Sequence, residues 1–121
     1  MINHKINIPD KLSLITDYWN PKIVGELNGQ HIKLVKFKGE FVWHKHDDED
    51  EMFMVIKGKF IMELRDHSME IREGEFIIIP KGVEHKPYAE NEVKLLLIEP
   101  RGVLNTGHAG GDRTAQNDVW I

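Results

Sequence analysis

The chain has 121 residues, 40% of them apolar, and its 16 basic and 20 acidic residues give a formal charge of −4, which describes one domain with a single core. This charge balance argues against nucleic-acid binding, and the absence of cysteine excludes disulfides, thiolate metal ligands and cysteine nucleophiles. No apolar run is long enough to span a membrane and no secretory signal is visible, so we expect a soluble, cytoplasmic protein.

The first predicted element is a short helical turn over 11–16, capped by Asp10 behind Pro9. After it, glycines divide the chain into short runs rich in Val, Ile, Phe and Met. These runs predict eight strands, over 32–38, 41–46, 51–57, 59–65, 69–72, 75–79, 83–88 and 93–99. Their length and spacing indicate an all-β sandwich or barrel.

The chain divides into three parts by its composition. We expect 1–25 to be an N-terminal segment that packs on the barrel or on a partner, 26–100 to form the barrel, and 101–121 to be an extended C-terminal tail. The tail has several glycines and no hydrophobic periodicity, so it would lie on the surface or cross to a partner.

The predicted strand over 51–57 is apolar on both faces. Phe53 and Val55 share one face with Glu51, while the methionines and Ile56 point to the other. A further outward-facing pair is expected at Phe41 and Trp43. Because such a surface is a liability in water, we expect a homodimer that buries it, or the segment 1–25 folded back over its own barrel.

Two histidines alternate on the predicted strand over 41–46. His44 and His46 would point to one face about 6.5–7 Å apart at Cα, close enough to share one metal ion. Glu51 begins the next strand, and His85 follows a turn that contains Pro80 and Gly82. Three imidazoles and one carboxylate form a mixed nitrogen and oxygen site for a divalent ion. The other four histidines are expected to be surface or satisfied core groups: His4, His31, His67 and His108.

These residues also carry a family resemblance. The pattern Gly39-x4-His44-x-His46-x4-Glu51-x6-Gly58 resembles the first motif of the cupin superfamily, and Gly74-x5-Pro80-x-Gly82-x2-His85 resembles the second. The first glycine lies one residue closer to His44 than is usual, and Ala89 stands where the second motif often has Asn. The segments 19–24 and 99–107 are similar to small one-domain bacterial cupins described as mannose-6-phosphate-isomerase-like.

The resemblance implies a small, double-layered antiparallel β-barrel of the jelly-roll kind, commonly dimeric, with a short N-terminal helical segment. It also implies one divalent metal ion per chain, which would be Zn, Fe, Mn, Ni, Co or Cu, bound by His44, His46, Glu51 and His85. Cupin relatives include dioxygenases, lyases, sugar isomerases and non-catalytic ligand sensors.

The faces that carry the candidate ligands are otherwise apolar, which favours a small, partly apolar metabolite bound at the metal. The apolar neighbours on these faces are Val42, Phe53, Val55, Val83 and Pro87. No second acid or base is evident there, and the residues that could enter from elsewhere are Glu63, Arg65, Tyr88, Glu99 and His108. The sequence therefore leaves open a metal-dependent enzyme (dioxygenase, isomerase or lyase) and a non-catalytic binding module, and it assigns no catalytic residue.

Overall fold

The computed structural model describes residues 4–107, 109–116 and 118–121, and within them it contains one short helix and seven strands. The helix α1 spans Ile8–Ser13. The strands are β1 Lys22–Leu27, β2 Gln30–Glu40, β3 Glu51–Lys57, β4 Lys59–Leu64, β5 Ser68–Arg72, β6 Phe76–Ile79 and β7 His85–Pro100. The predicted all-β architecture with a short N-terminal helix is confirmed.

Strand β7 connects two antiparallel layers. Its second half lies in the layer with the order β1-β2-β7-β3-β6, whereas its first residues pair with β4, which in turn pairs with β5. Strand β2 follows β7 along its length, and the register of this pair shifts between Phe37 and Gly39. The two layers enclose one core as predicted, but hydrogen bonding does not close the sheet into a complete barrel.

An aromatic stack fills part of the space between the layers. The ring of Trp19 stacks on Phe37 and on Phe41, with centroids 4.2 and 4.7 Å apart. Its indole nitrogen donates to the Lys38 carbonyl at 2.9 Å, which satisfies the polar group of this buried ring. Trp19 has a φ of 61°, so the chain turns sharply where it enters the core.

The N-terminal segment covers part of the outer face of the first layer. Leu12 and Ile15 are buried against Val24 and Leu34, and half-buried Ile56 packs on the same cluster. A second part of this face stays exposed: Phe76 and Ile78 are 58% and 54% accessible. They pair with Met54 and Met52, the residues predicted to point outward from β3.

The helix prediction was wrong in its cap and its bounds. Asn7 caps α1 instead of Asp10, because the Asn7 side chain accepts the Asp10 backbone N–H at 2.9 Å. Pro9 therefore lies inside the first turn, where its missing N–H costs no hydrogen bond.

The strand predictions differ from the structure in three places, of which the first two concern β1 and β7. Strand β1 was not predicted, although Asn28 and Gly29, both with positive φ, form the tight turn that joins it to β2. The predicted strands over 83–88 and 93–99 are two halves of the single strand β7.

The predicted strand over 41–46 is a loop with one isolated bridge at His44. Phe41 N donates to Pro87 O and His44 N to His85 O, so three residues on one side oppose two on the other. The extra residue forms a β-bulge, which shifts the alternation of side chains between the two faces by one position. Phe41 and His44 therefore both point inward. Phe41 is only 6% exposed, and its predicted outward position was wrong.

The C-terminal segment packs against its own chain. The Asn105 side chain donates to the Trp19 carbonyl at 2.8 Å, and Thr106 is fully buried. Gly107 lies so close to Lys45 O that a side chain there would clash, and its φ is +57°. Ile23 pairs with Trp120 in a parallel bridge.

Candidate metal centre

Three elements bring the candidate ligands together. His44 and His46 lie in the loop between β2 and β3, Glu51 begins β3, and His85 begins β7. Backbone hydrogen bonds in both directions between His44 and His85, at 3.0 and 2.9 Å, fix these two residues side by side. Gly82 N donates to His46 O at 2.7 Å, which ties the second histidine to the same turn.

The four side chains form a compact buried cluster. One ligand atom from each of them lies within 4.8 Å of the others, and no residue of the four is more than 5% exposed. His46 Nε2 and His85 Nε2 lie 3.3 and 3.6 Å from the same Glu51 oxygen, Oε1. The sequence prediction that these residues share one site is therefore matched by their placement.

Backbone carbonyls orient two of the imidazoles. His44 Nδ1 lies 2.9 Å from Val42 O, and His85 Nδ1 lies 2.9 Å from Val83 O. When Nδ1 carries the proton and donates to these carbonyls, Nε2 keeps its lone pair for a metal ion. Each accepting carbonyl belongs to the residue two positions before its histidine, so the local backbone sets the orientation of the ring.

Burial favours the neutral form of His44. Desolvation, and then the neighbouring His85, lower the pKa of His44 from its ordinary 6.5 to about 4. The imidazole is therefore neutral at pH 7, and a neutral imidazole is the form that binds metals.

The donor set fits a divalent cation. His46 Nε2, His85 Nε2 and Glu51 Oε1 are all buried without a hydrogen-bond partner, although buried polar atoms are normally paired. These three atoms lie close enough together for one divalent ion to satisfy all of them. An imidazole-rich set with one carboxylate suits Zn, Fe, Mn, Ni, Co or Cu better than Mg or Ca.

A further buried pair adjoins the cluster. Lys33 Nζ lies 2.6 Å from Glu99 Oε1, and Glu99 is also in contact with Glu51. Burial, and then the Glu51 charge, raise the pKa of Glu99 well above its usual range. Burial would also raise the pKa of Glu51, but the contacts with Glu99, His46 and His85 outweigh it and hold that pKa well below its usual range. His85 and Glu99 lie near opposite ends of β7, yet both contact Glu51.

The cavity beside the cluster is small and largely apolar. Its volume is about 20 Å³, enough for about one water molecule. It is lined by Trp19, Pro21, Phe37, Phe41, His44, Glu51, Phe53, Pro87, Leu97 and Asn105. The predicted apolar neighbours Phe53 and Pro87 are among these residues. Trp19 and Asn105 were not predicted to line the site, and they reach it from segments far from the histidines in sequence.

Of the residues that could have entered from elsewhere, only Glu99 is seen at the cluster. Arg65 is exposed, contacts the Trp43 ring at 3.8 Å and pairs with Glu84 at 3.0 Å. Glu63 lies 3.7 Å from Lys86 on the outer surface, and Tyr88 borders an external groove. His108 lies outside the described residues.

The fold and the site together define a class: two-layered antiparallel β-proteins with three histidines and one glutamate placed to bind a metal ion inside the fold. Residues 33–99 match the family described as the cupin domain, and the chain belongs to that family. The sequence-based assignment is confirmed, while the narrower likeness to mannose-6-phosphate-isomerase-like cupins stays a prediction.

Two solved structures resemble the chain over most of its length. A cupin-2 domain protein from Shewanella frigidimarina is 49% identical, with a TM-score of 0.78, and the match covers 79% of this chain and 94% of that one. A protein from Neisseria meningitidis is 38% identical, with a TM-score of 0.74, over 80% of this chain and 99% of that one.

The curated relatives match a shorter part of the chain. The YdbB protein of Bacillus subtilis is 33% identical over 64 residues, which are 52% of this chain and 57% of that protein. A protein of Aquifex aeolicus is 36% identical over 64 residues, 53% of each protein. The chain therefore spans about half the length of the curated relatives that it matches. Within the described part of the chain, no helix is long and apolar enough to cross a membrane.

Proposed function

We propose that this protein binds one divalent metal ion through His44, His46, Glu51 and His85, and binds a small, partly apolar metabolite at that ion. The observation that carries the proposal is the group of three unpaired, buried ligand atoms that converge on one point. A bound divalent ion would supply Lewis-acid polarisation of the metabolite or lower the pKa of a bound water.

The lining of the cavity supports the choice of ligand. Aromatic and aliphatic side chains surround the cluster, and Asn105 offers one neutral polar group. A sugar phosphate would be held best by Lys or Arg side chains, and the described residues that line the cavity include neither. The lining therefore favours a small neutral or monoanionic metabolite over the substrate of a sugar-phosphate isomerase.

Turnover of the bound metabolite is what distinguishes an enzyme from a binding module at this site. The cavity holds about one water, so a metabolite would reach the cluster only by displacing part of the lining. A metal-dependent dioxygenase, isomerase or lyase would convert the bound metabolite, whereas a binding module would only retain it.

Metal content tests the proposal directly. We expect about one divalent ion per chain by elemental analysis, either as purified or after reconstitution. His44→Ala combined with His46→Ala should abolish it, because two of the ligands are removed. His67→Ala is the matched control, since the His67 side chain is exposed and its Nδ1 lies 2.8 Å from Asp66. A wild-type protein that neither retains nor takes up a divalent ion would overturn the proposal.

We also propose that the protein forms a homodimer in the cytoplasm. The exposed apolar strip of Phe76 and Ile78, with half-buried Met52 and Met54 beside it, would be covered by the same strip of a second copy across a two-fold axis. Met54→Asp should give a monomer by sedimentation equilibrium with metal content unchanged. Ile61→Asp, at a partly exposed position on β4, is the control. A wild-type monomer at micromolar concentration would contradict this assembly.

A further inference from the structure

The pair Lys33 and Glu99 is an unusual feature of the interior. Lys33 is 3% exposed and Glu99 is 1% exposed, and they lie on the neighbouring strands β2 and β7. Lys33 Nζ also contacts Val103 O at 3.3 Å. Burying two charges is costly, and apolar residues of similar volume often stabilise a core at least as well. The pair therefore calls for an explanation other than core stability.

The contact with Lys33 uses only one of the two Glu99 oxygens. Lys33 engages Oε1 of Glu99, whereas Oε2 is buried and has no hydrogen-bond donor. Strands β3 and β7 pair Met52 with Ile98, so Glu51 lies opposite Glu99 one residue further along the same register. Glu51 Oε1 in turn lies 3.3 Å from His46 Nε2 and 3.6 Å from His85 Nε2. The arrangement thus runs from Lys33 through Glu99 to Glu51 and ends at the imidazoles.

We infer that Glu99, anchored by Lys33, is a positioning residue that holds the Glu51 carboxylate in the orientation needed to bind the metal ion. This inference rests on the proposed metal-binding function. Side chains that support a ligating carboxylate commonly change metal affinity about 10–100-fold when they are removed. Glu99 acts through Glu51, and it is not among the residues placed to bind the ion.

The test separates positioning from core stability by a double apolar replacement. Lys33→Met combined with Glu99→Leu removes both members of the ion pair together, and Val103 O loses only a long contact of 3.3 Å, so the melting temperature of the metal-free protein should stay close to that of wild type. The affinity for Co²⁺, measured by titration, should nevertheless fall about 10–100-fold. The visible absorption of bound Co²⁺ should also shift, because it reports the geometry of the ligands.

A conservative variant provides the rescue. Glu99→Gln keeps the length of the side chain and its polar contacts with Lys33 and Glu51, and should retain Co²⁺ affinity within about threefold. A double variant with wild-type Co²⁺ affinity and an unchanged spectrum would overturn the inference alone, leaving metal binding intact. A wild-type protein without Co²⁺ binding would overturn the proposed function and this inference together.

Discussion

Two buried histidines, His44 and His31, differ in what their nitrogens face. His31 is 4% exposed and His44 is 5% exposed, and both lie near carboxylates. The two nitrogens of His31 face different acids, Glu26 at 3.2 Å and Asp118 at 3.9 Å, so no common point is left for an ion. His44 instead directs Nδ1 to a backbone carbonyl and leaves Nε2 for the cluster. Burial beside a carboxylate is therefore not enough to make a candidate metal site. The ring nitrogens that remain unprotonated must also point to one common position.

The largest effect on metal affinity should come from removing a histidine of the cluster, with a buried histidine outside the cluster as the control. His85→Ala deletes a candidate ligand and should lower the affinity for Zn²⁺ or Co²⁺ at least about 100-fold. This loss should exceed the effect of removing a residue that only supports a ligand, which is about 10–100-fold. His31→Ala should leave the affinity within about twofold of wild type by the same competition titration. An equal loss in both variants would show that the comparison between the two histidines is wrong.

The pH dependence of stability should sharpen the same comparison. In metal-free protein the pKa of His44 is about 4 against an ordinary 6.5, chiefly because of burial. As pH falls from 6.5 to 4, the unfolded chain gains a proton at this residue before the folded chain does, so stability declines. The total decline from His44 is on the order of 3 kcal/mol, and it is absent above pH 6.5.

Chelator-treated protein should therefore melt at a lower temperature at pH 4.5 than at pH 7. His44→Gln should show a weaker pH dependence than wild type, because the titrating imidazole is gone. Equal pH dependence in the two proteins, measured by scanning calorimetry, would contradict the role assigned to burial at His44.

The smallest effect should come from the glycines of the C-terminal segment. A side chain at Gly107 would meet Lys45 O and lie 3.3 Å from His46 Nδ1, whereas one at Gly110 meets nothing within 4 Å. Both glycines have positive φ, so Gly107→Ala and Gly110→Ala carry similar backbone strain and differ in the clash. Gly107→Ala should speed removal of the metal by chelator several-fold relative to Gly110→Ala. Equal rates would show that this segment does not restrict access to the site.

The candidate ligands were predictable because they lie in short, regularly spaced motifs. His44, His46, Glu51 and His85 could be read from their spacing and from the glycines around them. Strand β1 was also readable in principle, since the Asn28–Gly29 pair is a strong hairpin-turn signal.

Other parts of the site depend on tertiary contacts that spacing does not encode. Trp19 and Asn105 are joined across most of the chain, and Lys33 meets Glu99 only because β2 pairs with β7. Phe41 was misplaced for a related reason, because a bulge that is set by pairing with the segment around His85 reverses its direction.

The course of β7 has a consequence for the way the protein opens. His85 and Glu99 would be roughly 45 Å apart on a straight strand, yet both meet Glu51, so the strand curves around the site. If the proposed ion binds at Glu51 and His85, it would restrain one end of β7 directly and the other end through Glu99. The backbone amides between these ends should exchange their hydrogens with solvent as a single cooperative unit, instead of fraying from one end.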